Sequence, residues 1–258
     1  DNLSRIRRYP SKTDIVGLPQ LPNHNVFTRD QKKEVIDFTI KNWSVSQEKI
    51  NKNNKTNILK THNLLCKLNL DGKNYSFADL NNTIGVIHIV RDPRNIVTSV
   101  KNHFSISTEE DSVEMLLNKY NWTGISNNEV PQLLSSWGNH YNSWKKFPKN
   151  YLLIRYEDLV LDIKKEILKL INYLSGYFEY KITDKLIEEI ERNTSFENFK
   201  KLESDGKFSE NSVNDTTGEK RTFFNLGPNN NWEKMLKKEN IDKIETQFNN
   251  EMKELGYL

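Results

Sequence analysis

The stretch from Gly85 to Phe104, "GVIHIVRDPRNIVTSVKNHF", constrains this chain more than any other. Its first six residues have the composition of a strand buried on both faces, and the apolar run stops abruptly at Arg-Asp-Pro-Arg. Asp92 then suits a helix N-cap and Pro93 the first helical position. Ile96, Val97, Val100 and Phe104 follow as an apolar stripe at helical spacing. Strand, tight turn and helix in succession build parallel α/β sheets, whose ligands bind at the carboxyl ends of the strands. Arg91 stands at such an end.

The same pattern recurs on both sides. "ILKTH" (58–62) and "NYLLIRYEDL" (150–159) read as short strands with polar exits. Helices are predicted for "RDQKKEVIDFTIKNW" and, opened by Pro131, for "PQLLSSWGNHYNSWKKF". Further helices are predicted for "LDIKKEILKLINYLSG", closed by Gly176, for "TDKLIEEIERN" and for the whole C-terminal segment from Trp232. The start up to Asn25, with Pro10, Pro19 and Pro22, reads as irregular, and "VSQEKINKNNKTN" as a polar connection. Thr108–Asn128 resembles a surface segment, and Glu197–Asn231 a long loop of the lid type. Strands alternating with helices predict an α/β fold with a central parallel sheet between two helical layers, as one domain over residues 1–258.

Composition removes several classes. With 38 basic and 35 acidic residues spread along the chain, the net charge of +3 predicts no nucleic-acid surface. The one cysteine, Cys66, cannot form an internal disulfide, which with the absence of a long apolar run predicts a cytoplasmic protein without a membrane span. No zinc-type Cys/His spacing, GxSxG elbow, GxGxxG fingerprint or Gly-rich P-loop occurs, and no metal site is expected.

At the strand ends, Arg91 offers a planar fork of donors, and Ser99 lies about two helical turns further on. Together they suit a phosphate monoester. The plainer reading is that Arg91 pairs with Asp92 or another carboxylate, and Arg94 reads as a surface or ion-pair residue. Lys60-Thr61-His62 ends another strand, where His62 could accept a proton and Lys60 steady developing negative charge; a structural histidine is the plainer alternative. His88 and His140 suit packing roles.

The pieces "LKTH", "VRDPRNIVTS", "SWGNHYNSW", "RYEDL", "NTSFENFK" and "GPNNNW" occur in an order and spacing that resembles the sulfotransferases using 3′-phosphoadenosine 5′-phosphosulfate (PAPS), over about Ile58–Trp232. The resemblance implies a three-layer, P-loop-NTPase-like sulfotransferase fold. It implies transfer of a sulfuryl group from PAPS to a hydroxyl, or an amine, of a small-molecule acceptor, leaving adenosine 3′,5′-bisphosphate (PAP) and needing no metal. Carried over by residue, His62 is the base and Lys60 touches the sulfuryl oxygens. Arg91 and Ser99 bind the 3′-phosphate, and Tyr156 and Thr194 contact adenine. Phe196, Phe223 and Phe224 wall the base or the loop above it, with core packing as the alternative for Phe196 and Phe223.

Two departures accompany the resemblance. The family's Lys-Ser-Gly-Thr-Thr-Trp-like loop for the 5′-phosphosulfate has no match; "YPSKTDI" carries no glycine, and the expectation is that a stretch preceding Asp1 supplies it. Asn225-Leu226-Gly227 stands where the family has Arg-Lys-Gly, so Asn225 and the Gly227 amide are left to meet the 3′-phosphate, with Lys220 or Arg221 as substitutes for the lost charge. A non-catalytic nucleotide-binding relative and a nucleotide kinase with a related core are the alternatives. The acceptor is undefined, with His103, Phe104 and the 108–128 segment as candidate lining.

Overall fold

The computed structural model describes residues 6–22, 26–52, 56–179, 181–208 and 222–258. The chain divides into two compact units, one formed by Asp1–Val86 with Asn118–Tyr151 and the other by Ile87–Leu117 with Leu152–Leu258.

The first unit begins with β1 (Arg7–Arg8) and then α1 (Arg29–Asn51), whose N-terminus is a full capping box between Thr28 and Gln31. The helix continues about two turns past the expected end at Trp43. Ser46 and Gln47 are polar yet face the interior, where Tyr9 Oη meets Ser46 Oγ at 2.7 Å and Asp79 N donates to Gln47 Oε1 at 2.8 Å. A hydrophobic count ends the helix early because its last buried turn is held by hydrogen bonds. β2 (Leu59–Lys60) runs parallel to β1, with Arg7 opposite Leu59 and Arg8 opposite Lys60. β3 (Lys67–Leu70) and β4 (Lys73–Ser76) form a hairpin whose two turn residues, Asp71 and Gly72, both have positive φ (52° and 78°), the geometry that Asp-Gly favours.

The chain enters the second unit within the expected strand, β5 (Gly85–Val90), and passes into α2 (Pro93–His103) through Asp92, whose carboxylate accepts from Arg94 N at 2.9 Å. β5 is covered unevenly: Val90 is buried while Ile89 is 60% exposed. Where a surface segment was expected, α3 (Glu109–Leu117) forms and buries Val113 and Leu116. Its signal is weak because only one short stripe is apolar.

Returning to the first unit, β6 (Trp122–Thr123) pairs antiparallel with β7 (Gln132–Leu133). The helix expected from Pro131 therefore begins later, as α4 (Trp137–Lys145), capped by Ser136. Its Tyr141 and Trp144 join Tyr9, Ile40, Trp43, Phe77 and Phe147 among the buried residues. Trp43 and Trp144 each make an edge-on contact with Phe77 in this core, at centroid distances of 5.3 and 6.2 Å.

In the second unit β8 (Asn150–Arg155) pairs with β5 and leads directly into α5 (Tyr156–Leu161). Asp162 closes α5 and caps α6 (Ile163–Leu174); α7 (Asp184–Asn193) and α8 (Phe196–Ser204) follow behind Thr183 and Ser195 caps. α8 occupies the beginning of the expected long loop. The expected C-terminal helix is broken into α9 (Trp232–Met235), α10 (Lys238–Gln247) and α11 (Asn249–Leu255), because Leu236 is extended and Phe248 turns into the core. Strands and helices are mixed along the chain, consistent with the expected α/β class, and strand pairing among the described residues takes the form of four two-stranded sheets.

Candidate active site

Within the first unit, the polar exit of β2 is fixed by its backbone. Tyr9 N donates to Lys60 O at 2.8 Å, and His62 N donates to the Oε1 of Gln132, a side chain on β7 that is 1% exposed. Asn63, fully buried, accepts from Leu133 N at 2.8 Å through its side chain and from Trp144 Nε1 at 2.9 Å through its carbonyl. His140, on α4 one turn before Trp144, is hydrogen-bonded to the backbone of both His62 and Asn63. Burial pushes that imidazole down to about 4, and the backbone carbonyls oppose this only in part, so it is a neutral donor at physiological pH. His62 itself is exposed, on a loop whose amides at His62, Asn63 and Leu64 are each hydrogen-bonded.

The N-terminal segment also enters this region. Because β1 and β2 are parallel, Tyr9–Asp14 and Lys60–His62 leave the same edge of the pair. The Ser11–Asp14 turn is closed by Asp14, which accepts from Ser11 N (3.0 Å), Ser11 Oγ (2.6 Å) and Arg7 Nη1 (2.9 Å). The two-residue strand before it escapes a periodicity reading, although Arg-Arg-Tyr-Pro marks its end.

In the second unit, the two arginines of the Arg-Asp-Pro-Arg turn have different neighbours. Asp92 is the partner of Arg94: its carboxylate accepts from Arg94 Nε at 3.0 and 3.2 Å and from Nη2 at 2.6 Å. Arg94 is buried, which decides between the two expectations for it. It also donates to Glu245 Oε1 (2.5 Å) and Tyr257 O (2.8 Å) and lies 3.8 Å over the Trp232 ring. Arg91, by contrast, sets Nη1 at 3.3 Å from Ser99 Oγ and its guanidinium 4.3 Å from the centroid of the Tyr156 ring. Three of the predicted residues thus come together, Arg91 just after β5, Ser99 on α2 and Tyr156 at the start of α5.

A second group gathers on the late loop. Phe196 meets Phe224 at 6.4 Å, Phe223 meets Phe224 at 5.1 Å, and Phe199 stacks on Phe224 at 5.1 Å with ring planes 6° apart. Gly227 has φ +52°, and a Cβ there would fall 2.2 Å from the Phe196 ring, so only glycine fits. Thr194 is exposed at the end of α7, with its hydroxyl donating to Ile190 O at 2.7 Å, which leaves oxygen lone pairs rather than a proton to offer. Asn225 is exposed and lines a groove of about 510 Å³ with Leu226, Thr98, Lys101 and Met235. Lys220 and Arg221 lie outside the described residues.

The loop is fastened to α2 at both ends. Asn102 Nδ2 donates to Thr222 O at 2.9 Å and His103 stands edge-on to Phe223. At the other end Asn230 Nδ2 donates to Asn95 O (2.7 Å), Thr98 Oγ1 meets Asn230 Oδ1 (2.9 Å), and Trp232 N donates to Asn95 Oδ1 (3.1 Å). Sequence reasoning missed Gln132, Asn63, Asn95 and Asn230, because amide side chains carry no periodicity. Among the described residues no group of three or more His, Cys, Asp or Glu could hold a metal ion, and no helix is long and apolar enough to cross a membrane.

Comparison with known proteins bears on this arrangement. The chain is 30% identical over 120 residues to Sulfotransferase 1E1 of Bos taurus, covering 45% of this chain and 37% of that protein. To Amine sulfotransferase of Oryctolagus cuniculus it is 23% identical over 179 residues, covering 67% and 56%. The chain thus spans between about a third and just over half the length of these curated relatives. Its fold is similar to that of mouse sulfotransferase SULT7A1, solved in complex with PAP, with a TM-score of 0.54 at 19% identity over 81% of this chain and 71% of that one. It is also similar to retinol dehydratase, solved with androsterone and inactive cofactor PAP, with a TM-score of 0.51 at 16% identity over 88% and 67%. A family model described as the sulfotransferase domain matches residues 14–256, and by that match the chain belongs to the sulfotransferase family.

Proposed function

We propose that residues 1–258 act as one cytoplasmic sulfotransferase domain that moves a sulfuryl group from PAPS to a hydroxyl, or an amine, of a small-molecule acceptor. The observation that carries this reading is the Arg91 arrangement. A guanidinium stacked on Tyr156, with Ser99 Oγ beside Nη1 and the adjacent Asp92 engaged by Arg94, is a donor set suited to a phosphate monoester. The aromatic group of Phe196, Phe223 and Phe224 and the bare Gly227 backbone suit a planar base and a close anion.

In this reading Arg91 and Ser99 hold the 3′-phosphate, helped by Asn225 and the Gly227 amide. Tyr156 and Thr194 contact adenine, with the three phenylalanines walling it. The donor supplies the sulfuryl group; positioning and charge stabilisation are what the chain supplies. His62 takes the proton that the acceptor shed as its oxygen bonds to sulfur, and Lys60 neutralises charge on the sulfuryl oxygens. PAP leaves, and no metal takes part. Ser11 and Lys12, at the edge shared with Lys60, are the chain's own candidates for the 5′ end of the donor.

Calorimetric titration with PAP, with 5′-AMP as control and Arg91→Ala as second protein, tests the reading. Binding that needs both the 3′-phosphate and Arg91 is expected, with at least a tenfold loss in each control. Equal binding of the two nucleotides would sink it.

A further inference from the structure

We propose that Gln132 is a positioning residue for sulfuryl transfer: from its buried place on β7 it fixes the backbone of His62 and so aims the imidazole that takes the acceptor's proton. The inference rests on the reading of His62 as that base. Gln132 is 1% exposed, and its Oε1 accepts the His62 amide at 3.1 Å, with Thr61 Oγ1 at the edge of reach at 3.5 Å. On the far side of the same residue, the backbone is bonded to His140, and the next carbonyl to Trp144 Nε1. Leu64 N to Leu133 O (2.6 Å) and Leu133 N to Asn63 Oδ1 (2.8 Å) lock the adjoining peptides. His62 is therefore held at both backbone ends while the residue stays exposed.

The chemistry of the amide matters. A glutamine supplies an acceptor without adding a fixed anion beside the base. A leucine there would leave a buried N–H without an acceptor, which the loop would relieve by shifting. A displacement on the order of 1 Å at a reacting group costs about 10²-fold in rate.

The test uses the whole chain with Gln132→Leu, with Gln132→Met as a second removal of similar volume, and with Gln132→Glu, which keeps the acceptor oxygen. Amide hydrogen exchange at His62 and turnover of PAPS with a simple phenol are followed together. Removal should speed exchange at His62 at least tenfold while amides within α1 keep their protection. It should lower kcat about 10²-fold with the KM for PAPS unchanged, and Gln132→Glu should restore the protection of the His62 amide. Unchanged exchange at His62 in a folded removal variant, or a kcat within twofold of the original, overturns the inference. A parent chain whose turnover is absent or survives His62→Ala overturns the base reading instead, and the two failures are told apart because His62 exchange still responds to Gln132→Leu.

Discussion

The loop that carries His62 and the clamp around Arg91 are built on opposite plans. At His62 the backbone and its surroundings are fixed by neutral partners, namely the buried Gln132, Asn63 and Trp144 and the half-buried His140, while His62 itself is exposed. At Arg91 the side chain itself is fixed, by Tyr156 and Ser99, and the surrounding helix is fixed by charge, through Asp92, Arg94 and Glu245. The difference fits the work proposed for each. A base must approach an acceptor whose shape varies, whereas a phosphate clamp must present one rigid fork. Rigidity is placed in the peptide in the first case and in the guanidinium in the second.

The largest effect that would break this contrast is on turnover. His62→Ala should lower kcat by about 10²–10⁴-fold, the usual range for loss of a general base. Because the side chain is exposed and the loop is held without it, PAP affinity and thermal stability should stay as they are. Single-turnover rates and calorimetry on one preparation check this. A fall in stability comparable to that of a core deletion would mean that the imidazole is part of the scaffold after all.

The next test turns on the chemistry of the anchors. Arginine side chains in general keep their charge throughout the ordinary pH range. The anchor of the His62 loop, His140, titrates at about 4 when folded and from an ordinary 6.5 when unfolded. The folded value is the lower one, so the unfolded state binds more protons between the two values. The stability that His140 contributes is then complete above about 6.5 and disappears as pH falls towards 4. The loss is on the order of 3 kcal/mol. Denaturant unfolding at pH 7, 5.5 and 4 measures it, and His140→Gln, which keeps a donor but cannot titrate, should flatten this part of the profile. An identical slope in that variant would assign the acid sensitivity elsewhere.

The two plans also differ in how far the sequence announces them. Charge and punctuation are visible in "RDPRN", so β5, the Asp92 cap, α2 and the pairing of Arg91 with Ser99 follow from reading it. The same holds for the helices behind Thr183 and Asp162, where a cap precedes a clean stripe. The scaffold of the His62 loop was not legible. Gln132 looks like part of a helix because Leu133, Leu134 and Trp137 have helical spacing, yet Ser136 starts the helix one turn later. Ser46 and Gln47 look like solvent-facing residues although they complete the core side of α1. The hairpin at Asp71-Gly72 carried a sequence signal that periodicity ignores, and β1 is too short to show any. Buried amides obey partners across the fold, about which local spacing is silent.

The smallest expected effect sharpens the contrast from the side of the clamp. Asn230 is a buried amide of the kind that dominates the His62 loop, but it lies on the late loop and ties it to Asn95 and Thr98 of the helix bearing Ser99. Asn230→Ala removes both bonds and leaves the Asn95 carbonyl and the Thr98 hydroxyl to find new partners, which should cost about 1–3 kcal/mol of stability. If the clamp depends on charge alone, Arg91 keeps its place against Tyr156 and PAP affinity should change by less than about threefold. If the late loop must be docked for Gly227 to meet the anion, affinity should fall about tenfold, matching roughly 1.4 kcal/mol. Thermal unfolding and PAP calorimetry on this one variant separate the two. The close seat of Gly227 against Phe196, with no room for a Cβ, favours the docked loop. A tenfold loss with Arg91 undisturbed would show that the clamp has a neutral, backbone-held half of its own.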